Sequence, residues 1–240
     1  MIIDVALSSC ARAELLEKSI QSFFMNVETK HKLRWIIVED KVDDKRRQEA
    51  GRKWILDNFY RFDKIIYSEK KLTYVYCFGE VLKYVTSDYF IRWEDDFEFQ
   101  RLINIDPIID TLMYHDKEKV DNNISPIANI SFKRNYCDVT DFTQRLVSNS
   151  KEYVNEYTAP SCMFDLIESP LFSIGPGIFN TKLTREIVDL SGTGECHEFG
   201  VLTPSMDRLG YKSFIWGSKE EPFLLDHVGK KLGFKKGEYK

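Results

Sequence analysis

The chain has little of what marks a secreted, membrane-spanning or nucleic-acid-binding protein. No apolar run approaches the roughly 20 residues that a spanning helix needs. The opening residues, Met1-Ile2-Ile3-Asp4-Val5-Ala6-Leu7, lack the basic start and cleavage site of a signal peptide and read as a strand. Positive charge is not in excess: 34 Lys and Arg stand against 38 Asp and Glu, a net charge of −4, which argues against a general nucleic-acid binder. The five cysteines (Cys10, Cys77, Cys137, Cys162 and Cys196) are scattered, with no Cys-x-x-Cys pair. Such an odd, dispersed set points to reduced thiols and a cytoplasmic location. Internal repeats and low-complexity linkers are also missing, so no domain boundary stands out.

What remains is a globular α/β pattern, 43% hydrophobic and 30% charged over 240 residues. Ile2 to Leu7 is a nearly unbroken apolar run, as a buried parallel strand requires. Leu16, Ile20, Phe23 and Phe24 then fall at i, i+4, i+7 and i+8, one helical face. Arg34 to Val38 is a second strand ending in Glu39-Asp40. A charged helix over Lys45 to Phe59 follows, with Trp54, Ile55 and Phe59 as core contacts. Lys64 to Tyr67 is a third strand, and Val75, Phe78, Leu82 and Val85 stripe the next helix. Tyr89 to Trp93 is the fourth strand. Strands alternating with helices predict a parallel sheet built by right-handed crossovers.

Residues 1–100 therefore read as a nucleotide-binding half, and 101–229 as a less regular second half of one domain. That half is expected to contain a helix from Pro107 to Tyr114 and a strand from Ile127 to Phe132. Loops from Lys133 to about Pro160 are expected to line a cleft. A strand broken at Gly175-Pro176-Gly177 comes next, then helices near Lys182 to Leu190 and His197 to Leu209. Short strands at Lys212 to Trp216 and Phe223 to Leu225 close the domain, the last running into Asp226-His227. Residues 230–240 carry five lysines against one glutamate, a basic tail expected to be solvated, with at most peripheral membrane contact.

The most informative stretch is Asp88-Tyr89-Phe90-Ile91-Arg92-Trp93-Glu94-Asp95-Asp96. A short apolar strand runs straight into three consecutive carboxylates, whose mutual repulsion calls for a counter-charge or full solvation. A hard divalent cation is one such counter-charge, because it prefers oxygen ligands and bridges carboxylate to phosphate. Open α/β sheets bind ligands at the carboxyl ends of their strands, where this cluster falls.

Taken in order, these features resemble the glycosyltransferases of the GT-A fold, family 2 type, from Ile2 to about Gly229. Val5-Ala6-Leu7-Ser8-Ser9-Cys10-Ala11-Arg12 resembles the first strand and turn of that fold, and Ile36-Ile37-Val38-Glu39-Asp40 resembles its second strand. Glu94-Asp95-Asp96 matches its DxD-type motif. The resemblance implies a mostly parallel mixed sheet flanked by helices and a nucleotide-sugar donor. It also implies a glycan or glycoconjugate acceptor and a bound Mn²⁺ or Mg²⁺. It implies nucleotide or sugar contacts from Ser8, Arg12, Asp40, Glu94 and Asp95, and metal contacts from Asp96 and His227. Gly175 to Phe179 resembles the segment bordering the donor sugar.

Glu195 to Tyr211 resembles the helix that carries the base of inverting members, but Phe199 stands where an Asp is usual. Glu198 is then the first candidate base and Glu195 the second. A carboxylate there would take the acceptor hydroxyl's proton as attack proceeds, and one direct displacement would invert the anomeric carbon. Two alternatives stay open. Phe199 leaves room for a non-catalytic nucleotide-sugar or glycan-binding protein of the same fold. A sugar-nucleotide pyrophosphorylase would share fold class and metal, but Ser8-Ser9-Cys10-Ala11-Arg12 has no glycine for its phosphate loop.

Overall fold

A computed structural model describes residues 1–72, 74–122, 125–132, 134–135, 156–158, 165–169, 171–192, 198–217 and 222–228. Glu195 and the basic tail lie outside them, as does most of the stretch from Lys133 to Pro160.

The continuous apolar run at the N-terminus forms β1 (Ile2–Ser9), buried on both faces after its first residue. It pairs in parallel with β3 (Lys32–Glu39) on one side and β5 (Tyr89–Glu94) on the other. β4 (Lys64–Tyr67) extends the parallel array beyond β3. β12 (Gly177–Asn180) then runs antiparallel between β5 and β8 (Ile127–Ser131). β13 (Lys212–Trp216), β11 (Asp165–Ser169) and β10 (Glu156–Thr158) complete the sheet, in the order β10-β11-β13-β8-β12-β5-β1-β3-β4 among the described residues. The first half is thus parallel, and the whole sheet is mixed.

Alternation along each strand divides the core in two. Val5, Leu7, Ile37, Ile91 and Trp93 meet α1 (Ala13–Asn26), whose Leu16, Ile20 and Phe23 are fully or nearly fully buried. Ile55 of α2 (Lys45–Asp57) and Ile108, Ile109 and Leu112 of α4 (Asp106–Asn122) join the same side. Ala6, Val38, Phe90 and Phe179 face the other way, toward α3 (Tyr74–Leu82), α5 (Thr181–Ser191) and α6 (Glu198–Leu209). The result is helices on both faces of one sheet. No helix among the described residues is long and apolar enough to cross a membrane.

Two predicted core contacts lie outside the core. Phe24 is 54% exposed and lies tilted on the outer side of Trp35, with ring centroids 5.2 Å apart, because Phe23 takes the inward position between Trp35 and Trp93. Phe59 is 62% exposed, since α2 stops at Asp57 and a 3₁₀ turn over Phe59–Arg61 swings it away. The last strand is displaced too: β14 spans Leu225–His227, two residues later than the apolar run suggests, so His227 sits within a strand. β14 lies between β6 (Phe97–Phe99) and β9 (Arg134–Asn135) in a small second sheet, with His227 opposite Phe97, and β2 (Val27–Glu28) pairs in parallel with β7 (Ile103–Asn104) apart from both sheets.

Candidate functional site

The carboxyl ends of β1, β3 and β5 are stitched together at one point. Ser8 pairs with Glu94 across the parallel ladder, and the Asp95 N–H donates to the Ser8 carbonyl at 3.1 Å. On the other side the Asp40 N–H donates to the Ser9 carbonyl at 2.8 Å. The chain leaves β1 through Ala11, a non-glycine residue in the left-handed region at φ 55, and enters α1 directly after Arg12. Nothing larger than Gly51 fits behind this turn. A Cβ there would lie 2.7 Å from Glu39 Oε1 and 2.8 Å from the Ala11 Cα.

The three acids have three different environments. Glu94 is half-buried and accepts from the Tyr74 hydroxyl at 2.7 Å. Asp95 is buried and saturated: its Oδ2 accepts from Ser9 Oγ at 3.2 Å, the Cys10 N–H at 2.9 Å and Arg12 Nε at 3.2 Å, while Arg12 Nη2 donates to its Oδ1. Asp95 thereby ties the β1–α1 turn to the end of β5. Asp96 Oδ2 accepts from Arg12 Nη1 at 2.8 Å and lies 2.9 Å from His227 Nε2. Its Oδ1 is buried with no hydrogen-bond partner. The Val228 N–H donates to the Asp96 carbonyl at 2.9 Å, and the His227 ring packs on Phe97, which fixes β14 against the acidic turn.

Burial pushes the Asp96 carboxyl up, but the His227 hydrogen bond and the Arg12 charge outweigh it and hold the group near 2. Asp96 is therefore a carboxylate at any working pH. Arg12 is shifted further upward, since the charges of Asp95 and Asp96 overcome its own desolvation. At Asp40 burial dominates and raises the carboxyl, although the N–H groups of Lys41 and Leu72 donate to its Oδ1 at 2.7 and 2.8 Å. Burial likewise lifts the Cys10 thiol well above its usual range, so it stays neutral.

An orphaned buried carboxylate oxygen beside an imidazole suits a divalent cation. Such ions take one or two protein carboxylates and fill the remaining positions with substrate phosphate and water. Asp96 Oδ1 is available, and Asp96 Oδ2 and His227 Nε2 are close enough together to serve one ion. No group of three or more His, Cys, Asp or Glu suited to a metal is present among the described residues. Asp96 and His227 are the residues here that could hold one.

Ser8, Arg12, Asp40, Glu94, Asp95, Asp96 and His227 thus converge on one end of the sheet. Glu198 opens α6, and its side chain lies outside the described residues, as does Glu195. Sequence reasoning passed over Glu39, which is buried beneath the turn with a carboxyl pushed up to about 7, by desolvation first and by the Asp95 charge. Gln48 Nε2 donates to Glu39 Oε1 at 3.4 Å. The signal was strand alternation, which turns Glu39 inward when Asp40 faces the opposite side. It also passed over Arg92, wholly buried on β5 with Nη1 on the Ala6 carbonyl at 3.2 Å.

No known protein family matches the sequence, and no curated protein matches it. Solved structures do. A mannosyltransferase from Pyrobaculum calidifontis, in complex with GDP-Man and Mn²⁺, superposes with a TM-score of 0.51 at 13% identity, covering 90% of this chain and 56% of that one. Residues 1–349 of TarS from S. aureus, in complex with UDP-GlcNAc, give 0.55 at 14% identity over 94% of this chain and 58% of that one. GalNAc-T7 with UDP, GalNAc and Mn²⁺ gives 0.56 at 9% identity over 94% and 43%. All three are GT-A-type glycosyltransferases. The chain has the GT-A fold. It spans about half the length of these structures.

Proposed function

We propose that this chain is a metal-assisted glycosyltransferase that moves a sugar from a nucleotide-sugar donor to a hydroxyl group of a glycan or glycoconjugate, with inversion. The observation that carries the reading is Asp96. On a GT-A sheet, its carboxylate sits at the strand ends with one buried oxygen unpartnered and His227 beside the other.

Asp96 and His227 would hold Mn²⁺ or Mg²⁺, and the ion supplies Lewis-acid stabilisation of the charge that builds on the departing nucleoside diphosphate. Asp95 keeps the β1–α1 turn in register with the acidic turn. Ser8 and Asp40, at the ends of adjacent strands, would meet the nucleoside, and Glu94 the ribose or sugar. Arg12 sets its charge beside the diphosphate. At the start of α6, Glu198 is the candidate base that accepts the acceptor's proton, with Glu195 the next choice. The scattered cysteines favour a cytoplasmic setting.

Phe199, in the place of the usual Asp, keeps a second reading in view, a binder of nucleotide sugars that performs no transfer. A donor panel of UDP-, GDP-, dTDP- and CMP-sugars with Mn²⁺ separates the two. An enzyme releases nucleotide, whereas a pure binder gains thermal stability without release.

A further inference from the structure

The acid cluster already has a counter-charge within the chain. Arg12 lays three guanidinium nitrogens on two carboxylates, and only 13% of its side chain is exposed. The two halves of this grip are unequal. Asp95 is also held by Ser9 and by the Cys10 backbone, so its contacts with Arg12 belong to the turn itself. Asp96 has a vacant oxygen and a neighbouring histidine instead, so its single contact with Arg12 Nη1 is the exchangeable one.

A cation brought to Asp96 meets the Arg12 charge, which lies 2.8 Å from the same carboxylate. Two positive centres that close, in a site shielded from water, repel strongly. A diphosphate carries the negative charge that satisfies both. We infer that Arg12 couples metal binding to donor binding: Nη1 holds Asp96 until a divalent ion and a diphosphate arrive together, then passes to a diphosphate oxygen while Nε and Nη2 stay on Asp95. This rests on the glycosyl-transfer reading, and it adds that neither ion nor nucleotide binds well alone. Linkage requires the effect to be reciprocal.

The test is calorimetry on the full chain and on Arg12→Gln, titrating Mn²⁺ alone, then UDP, GDP, dTDP and ADP with and without saturating Mn²⁺. In the parent, Mn²⁺ should tighten binding of the preferred nucleotide by about tenfold or more, a usual size for linked sites. In Arg12→Gln, Mn²⁺ alone should bind roughly fivefold tighter, and the gain that Mn²⁺ gives the nucleotide should fall to less than half. An unchanged or weaker Mn²⁺ affinity in Arg12→Gln, with nucleotide binding intact in the parent, overturns this inference alone. If the parent binds none of the nucleotides in Mn²⁺, the transfer reading falls with it. Should melting show that Arg12→Gln does not fold, Arg12→Lys takes its place. Lysine keeps the charge, but an ammonium cannot span three oxygens or hold Asp95 while handing a second donor to the diphosphate. The gain that Mn²⁺ gives the nucleotide should therefore again fall to less than half, and a gain equal to the parent's overturns the inference.

Discussion

His227 Nε2 lies 2.9 Å from Asp96 Oδ2, although the two residues are 131 positions apart. The contact joins the last described strand to the turn after β5. It makes Asp96 both a fixed carboxylate and one with an oxygen to spare. Asp95, its neighbour in sequence, has none to spare.

The two aspartates should therefore fail differently when replaced. Asp95→Ala takes the acceptor from Arg12 Nε and Nη2, the Ser9 hydroxyl and the Cys10 N–H in a buried site, and leaves Arg12 only its Asp96 contact among those described above. The loss should be about 3–5 kcal/mol, as for a broken buried ion pair. At roughly 2–4 °C per kcal/mol for a chain of this size, that is a fall of about 6–20 °C in Tm. Asp96→Asn keeps the shape and an acceptor for Arg12 but loses the ion pair, so it should cost less in Tm than Asp95→Ala yet lose the metal-dependent part of nucleotide binding. Melting curves and nucleotide titrations on both variants check this.

Gly51→Ala should act on the site from behind. The new Cβ would press on the Ala11 backbone at 2.8 Å and on Glu39 Oε1 at 2.7 Å, pushing α2 away from the β1–α1 turn. Expected together are a lower Tm and weaker nucleotide affinity. Gly177→Ala is the companion case, with its Cβ 2.8 Å from both the Ile130 carbonyl oxygen and the Ser131 Cα, at the seam between β12 and β8.

Asp4→Ala should destabilise the fold without touching the site. Asp4 is fully buried near the start of β1, where it accepts from Arg34 at 2.6 and 2.7 Å and from the N–H groups of Thr86 and Ser87 at 2.7 and 3.0 Å. Removing it leaves the Thr86 and Ser87 N–H groups without their side-chain acceptor and ends the Arg34 ion pair, at a cost of about 2–4 kcal/mol. Nucleotide affinity, measured below the melting range, should remain at the parental value.

Glu39 should give stability a pH dependence of its own. Its carboxyl is raised from an ordinary 4.5 to about 7 in the folded chain, so between those values the folded state binds more protons than the unfolded one. Its contribution is complete below the unfolded value and is lost as pH rises through the folded one. Urea midpoints at about pH 5 and pH 8 should differ more in the parent than in Glu39→Gln, which stays neutral throughout.

Much of this arrangement was legible in the sequence where the information is local. The apolar run of β1, the Glu39-Asp40 end of β3 and the strand running into Glu94-Asp95-Asp96 each declare themselves within ten residues. Their placement side by side follows from the alternation of strands and helices. What stayed hidden is non-local. The repulsion among three acids called for a counter-charge, but nothing in the sequence links Arg12 to Asp95 across 83 positions. Phe24 shows a second limit. It continues the helical stripe, yet Phe23 is the one that reaches between Trp35 and Trp93, and Phe24 stays exposed on the outer side of Trp35. His227 shows a third, since its strand begins two residues beyond where hydropathy alone starts it.

The central claim is tested most directly by following nucleoside diphosphate release from a panel of nucleotide sugars in Mn²⁺, for the parent and for Asp96→Ala. The account predicts release from at least one donor, and a drop of about a hundredfold or more when Asp96 is removed, the scale of losing a principal electrostatic contact. No release from any donor, or equal rates in the two proteins, would contradict it.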